Sequence, residues 1–402
     1  MGNSMTRFAP EETSSIIGMP LPFTNGEYRR RIDAVRKRMA EEKLDALLIF
    51  HQESMFYLFG YEQTGYWIYQ TAILTADSPE ITVFVRTADE HMVRGLPYVG
   101  DVRTWKDDSA NDPIAITVDL LRERGVLGDG KRIGIELKTH ALLPFYHKRL
   151  NEALPSLVDA SDLITELRIL KSDAEVVYMR EAGRVLDAAY AGAFEALRPG
   201  VLETEVLAAA LTGMFRAGGH VPAIVPPFAS GPRLPSWTHG HAVDRRILPN
   251  EAVTIEPGGS RYRYHAVGVQ TRWVGGEPTA KIRKTFDELV QAQEAAISMI
   301  RPGVSTADTA REINRILKQF GLYKLGNHNG YGTGLGYPPT WLDTLRIMES
   351  DRHVFERNMT FFLVSYWAVK EGDVTTELCL GEPFIVTETG CERLSATPLS
   401  LT

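Results

Sequence analysis

Residues 167–209, LRILKSDAEVVYMREAGRVLDAAYAGAFEALRPGVLETEVLAA, combine a long helical pattern, an Arg-Pro-Gly stop and the start of a second helix. Ser172 is followed three positions later by a glutamate, a typical helix start, and predicts a helix over residues 174–197. Proline and glycine at residues 198–200 then end it. The same order returns around residues 301–303, roughly 100 positions later, which indicates an internal repeat. We therefore expect two similar α+β halves that face each other across a ligand cleft.

The chain before this repeat has a different pattern. Residues 1–25 show no regular periodicity and are predicted to form an irregular lead. Residues 26–163 alternate short apolar strands with helices, which is typical of a small α/β domain. Residues 164–402 carry the repeated helix pairs and the strands that follow them. The sequence thus predicts an α+β protein with a smaller N-terminal and a larger C-terminal domain.

Composition excludes several classes of protein. The 402 residues carry a net charge of −7, which disfavours nucleic acid as a partner because phosphate binding needs a basic surface. No apolar run is long enough for a membrane span, and the polar N-terminus does not resemble a secretory signal. Cys379 and Cys391 are the only cysteines, as expected in a reducing compartment, although a disulfide between them is an alternative. We expect a cytoplasmic protein without a membrane partner.

Residues 253–275, VTIEPGGSRYRYHAVGVQTRWVG, are the candidate floor of an active site. The β-branched start predicts a strand, and the Pro-Gly-Gly-Ser of residues 257–260 predicts a tight turn before a second strand. Glu256 stands where the first strand meets that turn, and His265 lies on the second strand. Because Glu256 lies at the end of a strand, we expect its carboxylate to be a functional group of this site.

Residues 167–209 resemble the start of the catalytic domain in the prolidase/creatinase/methionine aminopeptidase family. The resemblance extends over nearly the whole chain. It implies a creatinase-like α/β N-terminal domain followed by a pita-bread catalytic domain, in which two pseudo-symmetric α+β halves share a curved sheet. Two similar α+β halves are also what the internal repeat predicts.

Peptidases of this family bind two divalent metals through two Asp, one His and two Glu. Against that pattern, the first Asp position is Glu256, and Val267 stands eleven residues later. The histidine position is Tyr331, Val364 stands at the first Glu position, and Glu382 is close to the last. Valine cannot bind a metal, and hard divalent ions need several oxygen ligands. The resemblance therefore implies a site without metal or other cofactor, although a metal-dependent Xaa-Pro peptidase is an alternative.

Several short stretches are similar to ectoine hydrolases, a metal-free branch of the family. They are residues 21–28, 222–226, 263–266, 336–341 and 389–392. The similarity implies a metal-independent hydrolase that cleaves a C–N bond of a small amidine-type zwitterion, with ectoine or hydroxyectoine as substrate. A creatinase-like hydrolase of another guanidine or amidine is a second possibility, and a non-catalytic binding homologue is a third.

Two residues are the catalytic candidates. The resemblance assigns Glu256 the role of nucleophile, and the same carboxylate is equally suited to pairing with a cationic amidinium. It also assigns proton transfer to His239, in PSWTHGH, since imidazole titrates near neutral pH. His241 competes with His239 for this role, and a solvated loop histidine is the alternative for either.

The substrate-binding candidates surround this pair. A hydroxyl at Tyr331 suits hydrogen bonding to an oxyanion or a substrate carboxylate, and aromatic faces suit a flat cation. Strand alternation puts Tyr264 and His265 on opposite faces, so one of them is expected to face the cleft. The predicted set is Tyr264, His265, Tyr331, Tyr337, Trp341 and Glu382, with a core role as the alternative for the aromatic residues and His265. Arg263 and Arg272 are both open as partners of a substrate carboxylate.

One further candidate lies in the N-terminal domain. Creatinase-like proteins are homodimers in which a loop of one subunit covers the site of the other. The resemblance implies the same role for residues 59–67, FGYEQTGYW, with Trp67 contacting the substrate. A local folding role for these aromatic residues is the alternative.

Overall fold

The computed structural model describes residues 15–16, 19–323 and 328–402. It divides the chain into two units, Met1–Leu167 and Arg168–Thr402. No helix in the described part of the chain is both long and apolar enough to cross a membrane. Cys379 and Cys391 are both free thiols, so the alternative of a disulfide is not what the structure shows.

The first unit is built around a six-stranded sheet with the order β6-β5-β4-β3-β7-β8. β3 is parallel to β7 and antiparallel to β4, so the sheet is mixed. Its elements are β1 Ser15–Ile16, β2 Met19–Pro20, α1 Asn25–Glu41, β3 Ala46–Ile49, α2 Gln52–Phe59, β4 Thr71–Thr75, β5 Ile81–Arg86, α3 Glu90–Val93, β6 Val99–Trp105, α4 Pro113–Glu123, β7 Ile133–Ile135, α5 Pro144–Ala153, β8 Leu157–Asp159 and α6 Asp162–Ile169.

The start of this unit differs in part from the predicted irregular lead. β1 and β2 pair with each other inside residues 1–25, and the remainder of that range before residue 19 lies outside the described residues. α1 begins at Asn25 because the Thr24 side chain accepts a hydrogen bond from the Glu27 amide. The apolar side chains of β3 and its neighbours then form a continuous core beneath the helices.

The second unit consists of two helix pairs and a large antiparallel sheet. The main path of the sheet runs β11-β12-β14-β16-β17-β13-β10-β9, with β15 on β14 and β18 on β17. Its elements are α7 Asp173–Ala196, α8 Glu203–Arg216, β9 Phe228–Ser230, β10 Glu251–Ile255, β11 Gly258–Arg261, β12 Tyr264–Val267, β13 Val269–Val274, α9 Ala280–Met299, α10 Thr306–Phe320, β14 Gly330–Tyr337, β15 Thr340–Ile347, β16 Thr360–Glu371, β17 Val374–Val386 and β18 Cys391–Arg393.

The two helix stops confirm the internal repeat in atomic detail. Gly200 and Gly303 adopt φ of +87° and +90°, which a side chain would disfavour. Their amides donate to the carbonyl oxygens of Ile247 and Phe355, respectively, at 2.7 and 2.9 Å. The sheet repeats the same symmetry, since β9-β10-β13 on one side of the centre corresponds to β14-β16-β17 on the other.

The turn predicted at residues 257–260 is wrong. β11 runs through this stretch, and the hairpin instead turns at Tyr262 and Arg263, which both have positive φ. Neither residue type signals such a turn. The glycines serve close packing, because a Cβ at Gly259 would overlap the backbone of Ala182 in α7.

The large sheet has two chemically different faces. One face packs against the helices, with Val253 and Ile255 in the core formed with α7 and α8. The opposite face carries a separate apolar group, which we call the site cluster. Its members include Val267, Val269, Tyr331, Trp341, Phe362, Val364 and Cys379.

Candidate functional site

Glu256 is the carboxyl group that reaches the site cluster directly. It follows the last residue of β10, and alternation along the strand places it opposite the helix-packed Ile255. Its amide donates to the Pro227 carbonyl oxygen at 3.0 Å, which fixes the backbone. The side chain is 8% exposed, and its Oε1 accepts a hydrogen bond from the Tyr331 hydroxyl at 3.3 Å.

Tyr331 connects this carboxyl to Trp341. The indole Nε1 of Trp341 donates to the Tyr331 hydroxyl oxygen at 3.2 Å, so the hydroxyl proton is directed to Glu256. Phe362 packs against the Tyr331 ring with centroids 5.1 Å apart. Burial and the nearby Glu256 carboxyl raise the pKa of Tyr331 well above its usual range, which keeps the hydroxyl a neutral donor. The structure thus brings together three predicted site residues, Glu256, Tyr331 and Trp341.

The apolar surroundings change the acidity of Glu256. Burial raises its pKa from 4.5 to about 8, and the hydrogen bond from Tyr331 opposes that shift only partly. At neutral pH the free carboxyl is therefore mainly protonated. A cationic ligand placed against it would favour the carboxylate, because an opposite charge at short range stabilises the ionised form.

The positions that hold metals in peptidases of this fold converge around Glu256. Val267, Tyr331 and Val364 all belong to the site cluster. Cys379, which was not predicted as a site residue, is also a member, and its cross-strand partner Tyr366 packs against the same cluster. Burial raises the pKa of the Cys379 thiol well above its usual range, so the thiol is neutral.

Glu382 is not placed where the sequence predicts it. Its neighbours at alternate positions on β17, Leu380 and Phe384, lie in the core that packs on α9 and α10. Glu382 shares their face and pairs with Arg393, with Oε2 and Nε 3.1 Å apart. Strand alternation therefore places Glu382 on the face opposite Cys379. The prediction that Glu382 faces the substrate is therefore wrong, and its neighbour Gly381, which pairs with Val364 of β16, lies on the site face.

His265 and Tyr264 point to opposite faces, as strand alternation predicts. The buried His265 accepts the Ala223 amide at Nε2, 2.9 Å away, and its Nδ1 lies 3.4 Å from the Gly334 carbonyl oxygen. These partners favour the neutral tautomer with the proton on Nδ1. The ring lies beside Trp341, with centroids 6.3 Å apart. Its contacts are those of a core histidine that supports the Trp341 wall.

Tyr264 lies among the residues of α7. Its hydroxyl donates to Glu175 at 2.8 Å, and Glu175 is part of the capping box that begins this helix. The Tyr264 ring stacks on Tyr178 at 6.0 Å. The structure does not bring Tyr264 to Glu256, and these contacts connect the sheet to the helix.

Tyr337 and the two candidate arginines separate along the sheet. The Arg263 guanidinium lies over the Tyr337 ring, 4.5 Å from its centroid. Arg263 lies in the turn before β12, so strand alternation does not fix the face of its side chain. Arg272 lies 4.1 Å from the ring centroid of Phe194, on the side of α7.

His239 and Trp67 have few local contacts. His239 ends the kinked 3-10 segment Gly231–His239 and is exposed, and its side chain makes no hydrogen bond within the described part of the chain. The backbone next to His239 is held by a hydrogen bond from the Phe228 amide to the Gly240 carbonyl oxygen. Trp67 is 62% exposed in the first unit, and its ring meets the edge of Tyr66. The roles predicted for both residues stay predictions.

Family models match both units of the chain. The model of metallopeptidase family M24 matches residues 177–377, and that of the creatinase/prolidase N-terminal domain matches residues 31–170. The chain belongs to the metallopeptidase family M24. The predicted combination of a creatinase-like N-terminal domain and a pita-bread domain is thereby confirmed.

Relatives of this M24 protein include more than one kind of hydrolase. An uncharacterized hydrolase/peptidase, y4tM, of Sinorhizobium fredii is 30% identical over 95% of this chain and 98% of its own. Ectoine hydrolase of Halomonas elongata is 28% identical over 96% of this chain and 99% of its own. The solved structure of an Xaa-Pro dipeptidase from Bacillus anthracis has a TM-score of 0.79 and 20% identity, and covers 93% of this chain and 99% of its own.

The side chains of this M24 protein do not fit the metals that the family name implies. Val267 and Val364 have no donor atoms, and Tyr331 is a neutral phenol beside a neutral Cys379 thiol. Across the described residues, no three His, Cys, Asp or Glu side chains form a group suited to a metal ion. Among the side chains that the structure describes, Glu256 is the one carboxyl group that is hydrogen-bonded to a member of the site cluster.

Proposed function

We propose that this M24 protein is a metal-independent hydrolase that cleaves a C–N bond in a small amidine-type zwitterion. Ectoine and hydroxyectoine are the first candidate substrates. The observation that carries the proposal is Glu256, a buried carboxyl with one hydrogen bond among the described residues, in a mainly apolar cluster. The similarity to ectoine hydrolase over nearly the full length of both chains supports the same reaction class.

The chemistry of an amidinium suits this environment. The cation is flat and carries N–H donors, so it can pair with the Glu256 carboxylate and stack against Trp341. Once ionised, Glu256 can attack the electron-poor amidine carbon. The C–N bond to the departing nitrogen then breaks, that nitrogen takes up a proton, and water hydrolyses the ester-like intermediate that is left on Glu256. Pairing and attack are two roles for the same carboxylate. The Tyr331 hydroxyl keeps the carboxylate oriented in both.

Proton transfer is proposed for His239. Ring opening needs a proton on the departing nitrogen and a base for the attacking water. His239 lies on a segment that packs against β10, the strand that ends next to Glu256. A comparison of His239→Ala with His241→Ala tests the assignment, since only the first is expected to lower kcat by about a hundredfold or more.

The proposed enzyme is a cytoplasmic homodimer that uses no cofactor. The Trp67 segment of one subunit is proposed to cover the site of the other. The exposed Trp67 side chain is available for such a contact. Trp67→Ala is expected to raise KM while the dimer persists in size-exclusion chromatography. An unchanged KM in the dimer would remove this part of the proposal.

A substrate panel tests the reaction itself. Purified protein is assayed with ectoine, hydroxyectoine, creatine and Xaa-Pro dipeptides, with and without EDTA, and its metal content is measured by mass spectrometry. Turnover of an amidine that EDTA does not reduce is the expected result. Cleavage of dipeptides that requires Mn, Zn, Fe or Co would identify a peptidase instead. Binding without turnover, unaffected by Glu256→Gln, would identify a non-catalytic homologue.

A further inference from the structure

One buried carboxyl group holds both ends of the loop that carries His239. This loop, which we call the His239 loop, consists of residues 231–243 and follows β9. Glu203, the first residue of α8, is completely buried. Its Oε2 accepts hydrogen bonds from the Arg233 guanidinium, near the start of the loop, and from the Val243 amide, at its end, the latter at 3.1 Å. A residue of α8 thus fixes the loop at two points.

Arg233 also bridges the loop. Its Nη2 donates to the His241 carbonyl oxygen at 2.8 Å, while its Nη1 donates to Glu203. Because the guanidinium is planar and rigid, its two hydrogen bonds fix the two partners relative to each other. The next residue, Leu234, is 1% exposed and belongs to the site cluster, so the start of the loop is packed against the site.

The backbone next to His239 is connected to the backbone of Glu256. The Gly240 carbonyl oxygen accepts the Phe228 amide at 2.9 Å, and the carbonyl oxygen of the preceding Pro227 accepts the Glu256 amide. The His239 side chain itself has no hydrogen bond within the described part of the chain. The position of its imidazole relative to Glu256 therefore depends on how firmly the backbone of the His239 loop is held.

Glu203 lies on the helix-packed side of the sheet. Its Oε1 accepts the amide and the hydroxyl of Ser230 at 3.1 and 2.6 Å. Ser230 pairs with Val253, whose side chain belongs to the core formed with α7 and α8. Glu256 lies on the opposite face, so Glu203 does not reach a substrate bound there and acts on it only through the residues that it holds.

We propose that Glu203 and Arg233 are a positioning pair, which holds the imidazole of His239 where it exchanges a proton with a substrate bound at Glu256. The inference rests on the proposed function, because it requires His239 to transfer that proton. A displacement of about 1 Å at a reacting group costs about a hundredfold in rate, whereas the contacts of the substrate with Glu256 would remain. Loss of the pair is therefore expected to lower kcat and to leave KM nearly unchanged.

Removal of the guanidinium tests the pair. Arg233→Met is expected to lower kcat for amidine hydrolysis by about tenfold or more and to keep KM within about twofold of wild type. In the His239→Ala background the same change should have no further effect on kcat, because the side chain that the pair positions is absent. Arg233→Lys keeps the positive charge beside Glu203 but not the planar pair of donors, so it should fold as wild type does in a thermal melt and recover only part of kcat.

The matched control is Arg246→Met. Arg246 follows the His239 loop, and its Nη1 donates to the Gly200 carbonyl oxygen at 2.8 Å, so it resembles Arg233 in bonding to a backbone carbonyl but is not bonded to Glu203. Its kcat and KM should equal those of wild type. A loss of kcat as large as that of Arg233→Met would show that the effect does not depend on the pair.

Amide hydrogen exchange separates this proposal from the reaction. The Val243 and Phe228 amides, which donate to Glu203 and to the Gly240 carbonyl oxygen, should exchange about tenfold faster in Arg233→Met and at the wild-type rate in Arg246→Met. If the protein turns over no amidine but these amides respond, the hydrolase proposal fails and the hold of the pair on the loop stands. If amidines are turned over and Arg233→Met keeps the wild-type kcat, lowers it equally in the His239→Ala background, or leaves both amides unchanged, the positioning pair is refuted.

Discussion

Two buried glutamates in the two units differ in the donors around them. Glu136 follows β7 in the first unit and is 2% exposed. Its Oε2 accepts the amides of Phe50 and His51 at 3.0 and 2.8 Å, and its Oε1 accepts the Ser54 hydroxyl at 2.6 Å. Glu256, in the second unit, has one donor in the described structure, Tyr331 at 3.3 Å. Burial raises the pKa of both carboxyl groups.

The difference separates a structural carboxyl from a reactive one. Glu136 holds the start of α2, where backbone amides lack partners within the helix. Both oxygens of Glu136 accept hydrogen bonds that stabilise the fold. Glu256 has acceptor positions that no donor of the described residues fills, so they are available to a donor or cation of a ligand. Two similarly buried glutamates are thus expected to have different roles, one in stability and one in catalysis.

The largest expected effect is on catalysis by Glu256→Gln. Glutamine keeps the shape and can still accept from Tyr331, but it provides neither a negative charge nor a nucleophile. We expect kcat for amidine hydrolysis to fall by at least about a thousandfold without loss of folding. Steady-state kinetics and a thermal melt measure the two quantities.

The matched control for this variant is Glu136→Gln. Its oxygen can still accept the two amides while its nitrogen donates to Ser54, so kcat in the folded protein should stay within about threefold of wild type. Equal losses of kcat in both glutamine variants would show that the two glutamates do not differ in the way proposed.

The second effect is on stability, and it concerns Glu136. Glu136→Leu leaves the amides of Phe50 and His51 and the Ser54 hydroxyl buried without an acceptor. We expect the free energy of unfolding to fall by about 3 kcal/mol, with Glu136→Gln recovering most of it. Urea denaturation followed by circular dichroism measures the change. Glu256→Leu, which frees only the Tyr331 hydroxyl, should cost less, and the reverse order would contradict the comparison.

The third effect is the pH dependence of stability. The pKa of Glu256 is about 8 in the folded protein and near 4.5 when exposed, so the folded state binds more protons between these values. Its contribution to stability is therefore present at low pH and is lost as the pH rises towards 8. Because one pKa unit corresponds to about 1.4 kcal/mol, wild type should lose roughly 2 to 3 kcal/mol relative to Glu256→Gln between pH 6 and 8. If the free energies of unfolding of the two proteins changed with pH in parallel over this range, the raised pKa of Glu256 would be excluded.

The sequence predicts the repeated architecture and the three residues that meet at the site. The Arg-Pro-Gly stops and helix starts are local signals, and local signals determine where helices begin and end. Glu256 and Tyr331 are identified by their positions relative to the family pattern. Local patterns fail where residues serve contacts that are distant in sequence, as Gly259 does against Ala182.

The misplacement of Glu382 has a physical explanation. The family pattern puts Glu382 only close to the last ligand position, and β17 runs unbroken through it, from Val374 to Val386. In a continuous strand, alternate residues share a face, so an error of one position exchanges the two faces. Gly381 therefore shares the site face with Cys379, and Glu382 lies on the other face, where it pairs with Arg393.

The smallest of these effects is expected from Tyr331→Phe, which removes the single donor to Glu256 among the described residues. That hydrogen bond stabilises the carboxylate and lowers its pKa, so its loss should move the pKa upwards from about 8. Since kcat/KM reports ionisation of the free enzyme, its rising limb with pH should shift to higher pH, and activity at pH 7 should fall about tenfold.

Tyr337→Phe is the control, because Tyr337 lies under Arg263 and its hydroxyl is not bonded to Glu256. Above the shifted limb, Tyr331→Phe should regain most of its kcat/KM. A loss that is the same at every pH would mean that Tyr331 only shapes the pocket.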